Sequence, residues 1–251
     1  IQDNTKMIYF ESPSSQKFEL LDLKMIADVA KEKGIYTVID NTWSTPLFQN
    51  PLEYGIDVVI HSCSKYIGGH SDIVGGIVVT NQKLMKKIDD FGQILVGATM
   101  APMNAWLAIR GLRTLPVRMK SQQETTKQVI TYLQNHPCIQ HVYHPLVASS
   151  SQRALAKTYL KGYSSLLGFE LKDANPQIIK TFIDSLNHFT LAYSWGGFES
   201  LAMPVFKGNN EEELKQRGLN IGHIRMYLGL EEPELLVEDI KQALEKAYSN
   251  H

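Results

Sequence analysis

The sequence predicts an α/β protein in two parts, a mainly parallel sheet with covering helices followed by a smaller α+β region. Three observations support this. Short apolar runs alternate with segments of helical periodicity in the first half of the chain. Clusters of turn-forming or polar residues follow the ends of two of these runs. Beyond about residue 135 the order of strand-like and helical segments changes, which indicates a second fold type.

The predicted strands of the first part are short apolar runs, and its predicted helices carry apolar residues at helical spacing. The strands cover residues 6–10, 35–39, 58–60 and 77–79. The helices cover residues 18–33, 83–91 and 103–113, and Gly34 is placed to end the first of them. This alternation is typical of a parallel α/β sheet.

The second part is predicted to follow a long, largely polar helix over residues 117–134. The strands beyond it cover residues 166–171, 189–193 and 224–228. Two helices cover residues 176–186 and 233–248, and each begins with a proline, which a first helical turn tolerates. We therefore predict one domain over residues 1–135 and a smaller α+β domain over residues 136–251.

Charge, hydropathy and cysteine usage restrict the class of partner. The 25 basic residues nearly balance the 26 acidic ones without blocks of like charge, so we expect a small-molecule partner and no nucleic acid. No apolar run approaches the roughly 18 residues that span a bilayer, so we expect no membrane contact. Cys63 and Cys138 form no CxxC pair, which suggests neither a disulfide framework nor a zinc site and fits a reducing, cytoplasmic location. The chain starts without methionine and enters a strand almost at once, so we expect a fragment.

Two candidate functional groups, Asp40 and Lys65, follow neighbouring predicted strands. The stretch from residue 60 to residue 72 combines hydroxyls, Lys65 and paired glycines directly after a strand. Strand ends of parallel sheets share one crevice, so both side chains are predicted to point into one pocket. An acid and a lysine there suit a cofactor with a pyridine ring, since the acid would keep the ring nitrogen protonated and the lysine would form the Schiff base. The alternatives are that Lys65 is a solvated surface lysine and that Asp40 only initiates a turn.

A series of motifs, in order along nearly the whole chain, resembles the Cys/Met-metabolism family of pyridoxal-phosphate enzymes. The matching segments are residues 38–43, 54–58, 64–66, 69–72, 110–115, 194–201, 224–225 and 229–231. The resemblance implies the type I fold of aspartate aminotransferase, with residues 1–135 as the C-terminal part of the large cofactor-binding domain. It also implies pyridoxal 5′-phosphate (PLP) as cofactor, no metal, and a homo-oligomer, a tetramer in the family.

The resemblance implies a role for each matching residue. Lys65 would carry PLP and move protons as general base and acid, and Asp40 would pair with the pyridinium nitrogen. Ser62 and Ser64 would donate to the cofactor phosphate, although turn formation is their alternative. Arg225 would bind the α-carboxylate of the substrate through its planar fork of donors.

The loop from Tyr193 to Gly197 would border that carboxylate. Ser194 and Trp195 are its expected neighbours, and the Gly196–Gly197 turn lets backbone approach the ligand. Plain core packing is the alternative for Trp195. His61, His70 and His223 are expected to be structural.

Three features resemble β-lyases more than γ-lyases and γ-synthases of the family. Residues 11–15 lack an asparagine that the γ-enzymes carry, Trp195 stands where those enzymes have leucine, and Tyr193 completes an Ala-Tyr-Ser-Trp run. The implied reaction is cleavage of L-cystathionine by β-elimination to homocysteine, pyruvate and ammonia, a step of methionine biosynthesis. The open alternatives are a γ-lyase, γ-synthase or cysteine desulfhydrase of the same family, or an inactive structural fragment. The preference among cystathionine, cystine and related sulfur amino acids stays open.

Overall fold

The computed structural model describes residues 1–249, and these residues form two compact units. The first unit comprises residues 1–15, 19–116 and 149–163, and the second comprises residues 16–18 and 117–148 together with the chain from residue 164 onwards. The units change over inside a helix, between Pro116 and Val117. The domain boundary at 135/136 stays a prediction.

The first unit is built on a four-stranded sheet with the order β1-β2-β3-β4. Its strands are β1 (Met7–Glu11), β2 (Tyr36–Asp40), β3 (Val58–Ser62) and β4 (Gly76–Thr80). The first three strands run parallel, whereas β4 runs antiparallel to β3. The sheet is therefore mainly parallel, as the sequence predicts, with one antiparallel strand at its edge. The connection from β3 to β4 contains a turn of π-helix and no α-helix, whereas a parallel crossover usually runs through a helix.

Helices of the first unit are α1 (Leu23–Glu32), α2 (Thr45–Phe48), α3 (Gln82–Ile88), the first half of α4 (Pro102–Asn135), and α5 (Ser150–Tyr159). The prediction that α1 starts at Phe18 is wrong by about a turn. The Asp22 side chain accepts a hydrogen bond from the Met25 N–H and caps the helix there, and Phe18 has a φ of 55°, which is not helical. Leu23 and Ala27 of α1 pack on Ile39 and Val59 of the sheet in a small apolar core.

Helix α4 replaces the two separate helices predicted over residues 103–113 and 117–134. Pro116 lies inside it, although a proline in a helix interior removes one backbone hydrogen bond. Leu115 and Met119 on either side are buried, so tertiary packing holds the helix together across the proline.

The second unit is built on a five-stranded sheet with the order β5-β6-β9-β8-β7. Its strands are β5 (Ile139–Tyr143), β6 (Leu166–Leu171), β7 (Phe189–Leu191), β8 (Ser200–Pro204) and β9 (His223–Tyr227). Its helices, besides the second half of α4, are α6 (Pro176–Ser185), α7 (Glu211–Gln216) and α8 (Pro233–Tyr248). The pairs β5–β6, β6–β9 and β9–β8 are antiparallel, and β7–β8 is parallel.

Strand β9 is buried on both faces, and the two faces differ in chemistry. Ile224 and Met226 belong to the apolar core of the unit. His223, Arg225 and Tyr227 alternate with them and are buried as well. Alternate residues of a strand point to opposite sides of the sheet, so β9 presents a polar face opposite the core.

Within the described residues, no helix is both long and apolar enough to span a membrane. In the same part of the chain, no cluster of three or more histidine, cysteine, aspartate or glutamate side chains is arranged to bind a metal ion.

Candidate active site

The carboxyl ends of β2 and β3 bring Asp40 and Ser62 together. Asp40 ends β2 and Ser62 ends β3, and the parallel register places Asp40 opposite Ile60. The Asp40 carboxylate accepts hydrogen bonds from the backbone N–H of Thr42 at 2.9 Å and from the Thr42 hydroxyl. The same hydroxyl oxygen accepts from the Ser62 N–H at 2.8 Å. Thr42 therefore connects the two strand ends through one side chain.

The bond from Asp40 to the Thr42 N–H is the turn-forming contact of an aspartate. Asp40 therefore makes the turn-forming contact that the alternative interpretation expects. This contact leaves other lone-pair sites of the carboxylate available to a further donor. Sequence reasoning assigns no role to Thr42, although a threonine two residues after an aspartate at a strand end is a signal for this arrangement.

Two neighbours shape the electrostatics around Asp40. Burial lowers the pKa of His61, and the negative charge of Asp40 only partly opposes this effect. Burial raises the pKa of Tyr9, and the charges of Asp40 and Glu11 and a hydrogen bond to Asp40 raise it further. His61 is thus a neutral imidazole near neutral pH and Tyr9 a neutral hydroxyl donor, which leaves the negative charge of this end of the sheet on carboxylates.

Lys65 lies in a tight turn directly after β3. Residues Cys63–Ile67 form one turn of π-helix, and Lys65 inside it has non-helical angles of φ −102° and ψ −133°. The Gly68 N–H donates to the Cys63 carbonyl and the Gly69 N–H to the Lys65 carbonyl, each at 2.8 Å. Lys65 and Ser64 are half-buried, and Cys63 and Tyr66 of the same turn are buried.

Close backbone packing holds this turn in place. A Cβ on Gly68 would lie 2.6 Å from the Cys63 carbonyl oxygen. A Cβ on Gly111 of helix α4 would lie 2.2 Å from the Ile67 carbonyl oxygen and 2.5 Å from that of Gly68. Only glycine allows these approaches. The helix therefore packs directly on the backbone that carries Lys65.

The hydroxyl of Ser64 also contacts backbone. Its oxygen accepts from the Gly75 N–H at 3.3 Å, and the Cys63 N–H donates to the Gly75 carbonyl at 2.9 Å. In the first of these bonds Ser64 is an acceptor, so that bond does not use its hydroxyl proton. The local role in shaping a turn and a role as donor to an anion are therefore compatible.

The predicted substrate-binding residues meet in the second unit. The Arg225 guanidinium lies 3.9 Å from the centroid of the Tyr193 ring, and its Nη2 donates to the Tyr193 carbonyl. Arg225 is 5% exposed and Tyr193 is 64% exposed. Ser194 is exposed and Trp195 is half-buried. The exposed ring thus covers one face of a buried cation next to the two residues that sequence reasoning places beside the carboxylate.

A cavity of about 230 Å³ adjoins Arg225 and Tyr193. Apolar side chains such as Met203 and Phe206 line part of it. Lys207 and Arg225 add positive charge, while Arg217 is paired with Glu213 of the same lining. A pocket with an apolar wall and a few charged groups is typical of small-molecule sites. The lining suits an anionic ligand with an apolar part.

His223 shares the polar face of β9 with Arg225. Burial, together with the positive charges of Lys17, Arg225 and Arg217, lowers the pKa of His223 to about 4. The imidazole is therefore neutral near neutral pH and adds no positive charge beside the guanidinium. The structural role expected for His223 stays a prediction.

The structure thus brings the predicted site residues together in two groups. Asp40, Ser62, Ser64 and Lys65 lie at one end of β2 and β3 in the first unit. Tyr193, Ser194, Trp195 and Arg225 lie together in the second unit. The roles assigned to them stay predictions.

The chain is similar to known proteins of one enzyme family along nearly its whole length. A family model described as "Cys/Met metabolism PLP-dependent enzyme" matches residues 1–245. A cystathionine gamma-lyase of Bacillus subtilis (strain 168) is 38% identical over 249 residues, which is 98% of this chain and 65% of that protein. A cystathionine beta-lyase of Lactococcus lactis subsp. cremoris (strain MG1363) is 38% identical over the same shares of both chains.

The fold comparison agrees. A crystal structure of cystathionine gamma synthase from Xanthomonas oryzae pv. oryzae, in complex with aminoacrylate and cysteine, superposes with a TM-score of 0.92 at 35% identity. It matches over 98% of this chain and 64% of that one. The fold is therefore that of the PLP-dependent cystathionine lyases and synthases, and the chain spans about 65% of the length of the curated relatives it matches.

Proposed function

The chain belongs to the Cys/Met metabolism family of PLP-dependent enzymes, and from this premise we propose that it acts as a carbon–sulfur lyase that cleaves L-cystathionine. The proposed reaction is β-elimination to homocysteine, pyruvate and ammonia. The observation that carries the proposal is the meeting of Asp40, Ser62 and the Lys65 turn at the ends of two parallel strands. Parallel sheets bind their ligands at this place.

The residues at this end of the sheet fit pyridoxal 5′-phosphate, the cofactor of the family. A pyridine nitrogen needs an acid, and the Asp40 carboxylate is fixed in place by two bonds from Thr42. A phosphate needs donors, and Ser62 and Ser64 carry hydroxyls directly before the lysine. An aldehyde needs a primary amine, which Lys65 supplies. When bound, PLP supplies an electron sink that stabilises negative charge at Cα of an amino acid.

The residues of this chain then have separate tasks. The Lys65 amine binds the cofactor and afterwards takes the proton from Cα of the substrate. The Asp40 carboxylate accepts a hydrogen bond from the ring nitrogen and keeps its proton there. Arg225 binds the α-carboxylate through a guanidinium that is buried and already oriented by Tyr193.

The choice of β-elimination rests on the loop beside Arg225. Its Tyr-Ser-Trp run resembles the β-lyases, and here the tyrosine of that run stacks on the arginine. A γ-lyase or γ-synthase is the second candidate, because a relative named as a γ-lyase is as similar as one named as a β-lyase. A cysteine desulfhydrase and an inactive structural fragment are further alternatives. Homotetramer formation, a role in methionine biosynthesis and a cytoplasmic location belong to the same proposal.

The first test is covalent labelling. The purified chain is incubated with PLP, reduced with borohydride to trap amine-linked cofactor, digested and mapped. We expect the label on Lys65 and its loss in Lys65→Ala, whereas Lys83→Ala on the exposed face of α3 keeps it. Label spread over surface lysines in all three proteins would contradict the assignment of Lys65.

The second test identifies the products from L-cystathionine. Pyruvate with homocysteine supports β-cleavage, whereas 2-oxobutyrate with cysteine indicates γ-cleavage. A chain that labels on Lys65 but forms neither oxo acid holds the cofactor without turnover, as the structural-fragment alternative predicts. Lys65→Ala should form no product in any case.

A further inference from the structure

The segment from Tyr193 to Gly197 reaches the polar face of β9 at two points. At its beginning, the Arg225 guanidinium donates to the Tyr193 carbonyl. At its end, the Tyr227 hydroxyl donates to the Gly197 carbonyl at 2.6 Å. Arg225 and Tyr227 are two residues apart on one face of the strand. The ends of this segment are therefore fixed by neighbouring side chains of one strand, with Ser194 and Trp195 between them.

Tyr227 is itself held by a second buried side chain. The Gln122 amide of α4 donates to the Tyr227 hydroxyl oxygen at 2.7 Å and lies 3.4 Å from the Gly197 carbonyl oxygen. Gln122 is 0% exposed and Tyr227 is 1% exposed. A hydroxyl that accepts one hydrogen bond and donates another in a buried place is polarised and restricted to one direction. The hydroxyl proton of Tyr227 therefore points at Gly197.

The backbone that Tyr227 holds needs such a donor. Gly196 has a φ of 90°, in the left-handed region that favours glycine, and Gly196 and Gly197 are both buried. A buried carbonyl without a donor is costly. Loss of the Tyr227 hydroxyl would leave the Gly197 carbonyl with the long hydrogen bond from the Gln122 amide at 3.4 Å, and would therefore favour conformations in which this carbonyl turns towards water. That rotation would move Trp195 and Ser194.

We propose that Tyr227 is a positioning residue for substrate binding, with Gln122 as its support. It holds the Gly196–Gly197 turn so that Ser194 and Trp195 stay beside Arg225 for the α-carboxylate of the substrate. The inference rests on the proposed function, since only that function assigns the α-carboxylate to Arg225. Tyr227 is proposed to contact neither substrate nor cofactor and to act only by holding the Gly196–Gly197 turn.

The test compares Tyr227→Phe with Tyr248→Phe. Both variants lose one hydroxyl that donates to a backbone carbonyl in the second unit, because Tyr248 donates to the Lys172 carbonyl at 2.5 Å. Hydrogen–deuterium exchange of the peptide over residues 190–200 is measured for the full chain without ligand. We expect exchange to become about tenfold faster in Tyr227→Phe, as for loss of one neutral hydrogen bond, and to stay unchanged in Tyr248→Phe. Gln122→Leu should give a smaller increase, because the Tyr227 hydroxyl remains.

A binding measurement separates positioning from general stability. The Kd of L-cystathionine for the PLP-loaded chain should rise about five- to tenfold in Tyr227→Phe and stay unchanged in Tyr248→Phe. If the loaded chain turns over, KM should rise and kcat should change little, since ground-state and transition-state binding weaken together.

Two results would overturn the inference. One is a hydrogen–deuterium exchange rate of the 190–200 peptide that is the same in Tyr227→Phe and Tyr248→Phe. The other is faster exchange with an unchanged Kd, which would make Tyr227 a structural residue only. If the variants differ in exchange rate but the original chain binds no L-cystathionine, the proposed function is wrong. Tyr227 would then still restrict the conformation of the segment from Tyr193 to Gly197.

Discussion

Gly111 of α4 is expected to tolerate no side chain, although alanine normally stabilises a helix. The Cβ of Gly111→Ala would lie 2.2 Å from the Ile67 carbonyl oxygen and 2.5 Å from that of Gly68. Both oxygens are backbone atoms, so the helix or the Lys65 turn has to shift. Backbone oxygens cannot move aside as a flexible side chain can, so overpacking here costs about 2–3 kcal/mol, and the gain from glycine to alanine in a helix offsets about 1 kcal/mol of it. We expect a net loss of about 1–2 kcal/mol, or roughly 2–8 °C in Tm.

The matched control is Gly92→Ala in the same unit. Gly92 also lies in a helical segment, and a Cβ there would meet no atom of the described residues within 4 Å. This variant should be neutral or more stable by up to about 1 kcal/mol. Urea unfolding measures both effects, and titration with PLP followed by visible absorption should show weaker binding in Gly111→Ala alone. Equal stability of the two variants, or unchanged PLP affinity in Gly111→Ala, would refute the packing argument.

Three further predictions concern single groups. Arg225→Lys should raise the KM for L-cystathionine at least tenfold in steady-state assays, because a point charge replaces a bidentate fork; an unchanged KM would remove Arg225 from carboxylate binding. Thr42→Val should weaken PLP binding several-fold by absorbance titration, since Asp40 and the Ser62 N–H both lose their bond to this hydroxyl; unchanged affinity would show that Asp40 needs no such support. Burial lowers the pKa of His144 to about 4, so the folded state favours the neutral imidazole. This preference contributes about 3 kcal/mol to the free energy of unfolding above pH 6.5, and the contribution is lost as the pH falls from 6.5 to 4. Urea unfolding of His144→Asn should therefore show a shallower loss of stability over that range, and an equal slope would contradict it.

Local signals in the sequence are enough to predict part of each unit, including β1, β2 and β3 of the first and β6, β7, β9, α6 and α8 of the second. Strand β6 is a largely apolar run, β9 has apolar residues at alternate positions, and the prolines at the starts of α6 and α8 mark helix starts. Helix α4 is harder to predict, since Pro116 has a strong local tendency to end a helix that only distant packing overrides. The direction of β4 depends on how the chain turns after Lys65, which periodicity does not report. Strands β5 and β8 and helices α5 and α7 carry too few apolar residues in a regular order to be recognised.

The candidate site divides in the same way. Asp40, Lys65 and Arg225 stand in recognisable motifs, so the amino-acid sequence is enough to indicate them. Thr42 and Tyr227 act through hydrogen bonds across 20 and 30 residues of sequence. Such bonds depend on strand register and on the path of a loop. Thr42 has one local signal, its place two residues after an aspartate at a strand end, whereas nothing in the sequence around Tyr227 gives a reason to select that tyrosine.

The two-sided burial of β9 makes its alignment with its neighbours decisive. Gly168 of β6 and Met203 of β8 both pair with Arg225, which fixes the strand from each side. A slip by one residue would exchange the two faces, placing Arg225 in the apolar core and Ile224 or Met226 where the guanidinium now lies. An unpaired guanidinium in an apolar core is strongly disfavoured. The guanidinium charge proposed to bind the ligand therefore also disfavours misaligned strand pairings during folding. A chain that completes this unit has its arginine on the side where the pocket forms.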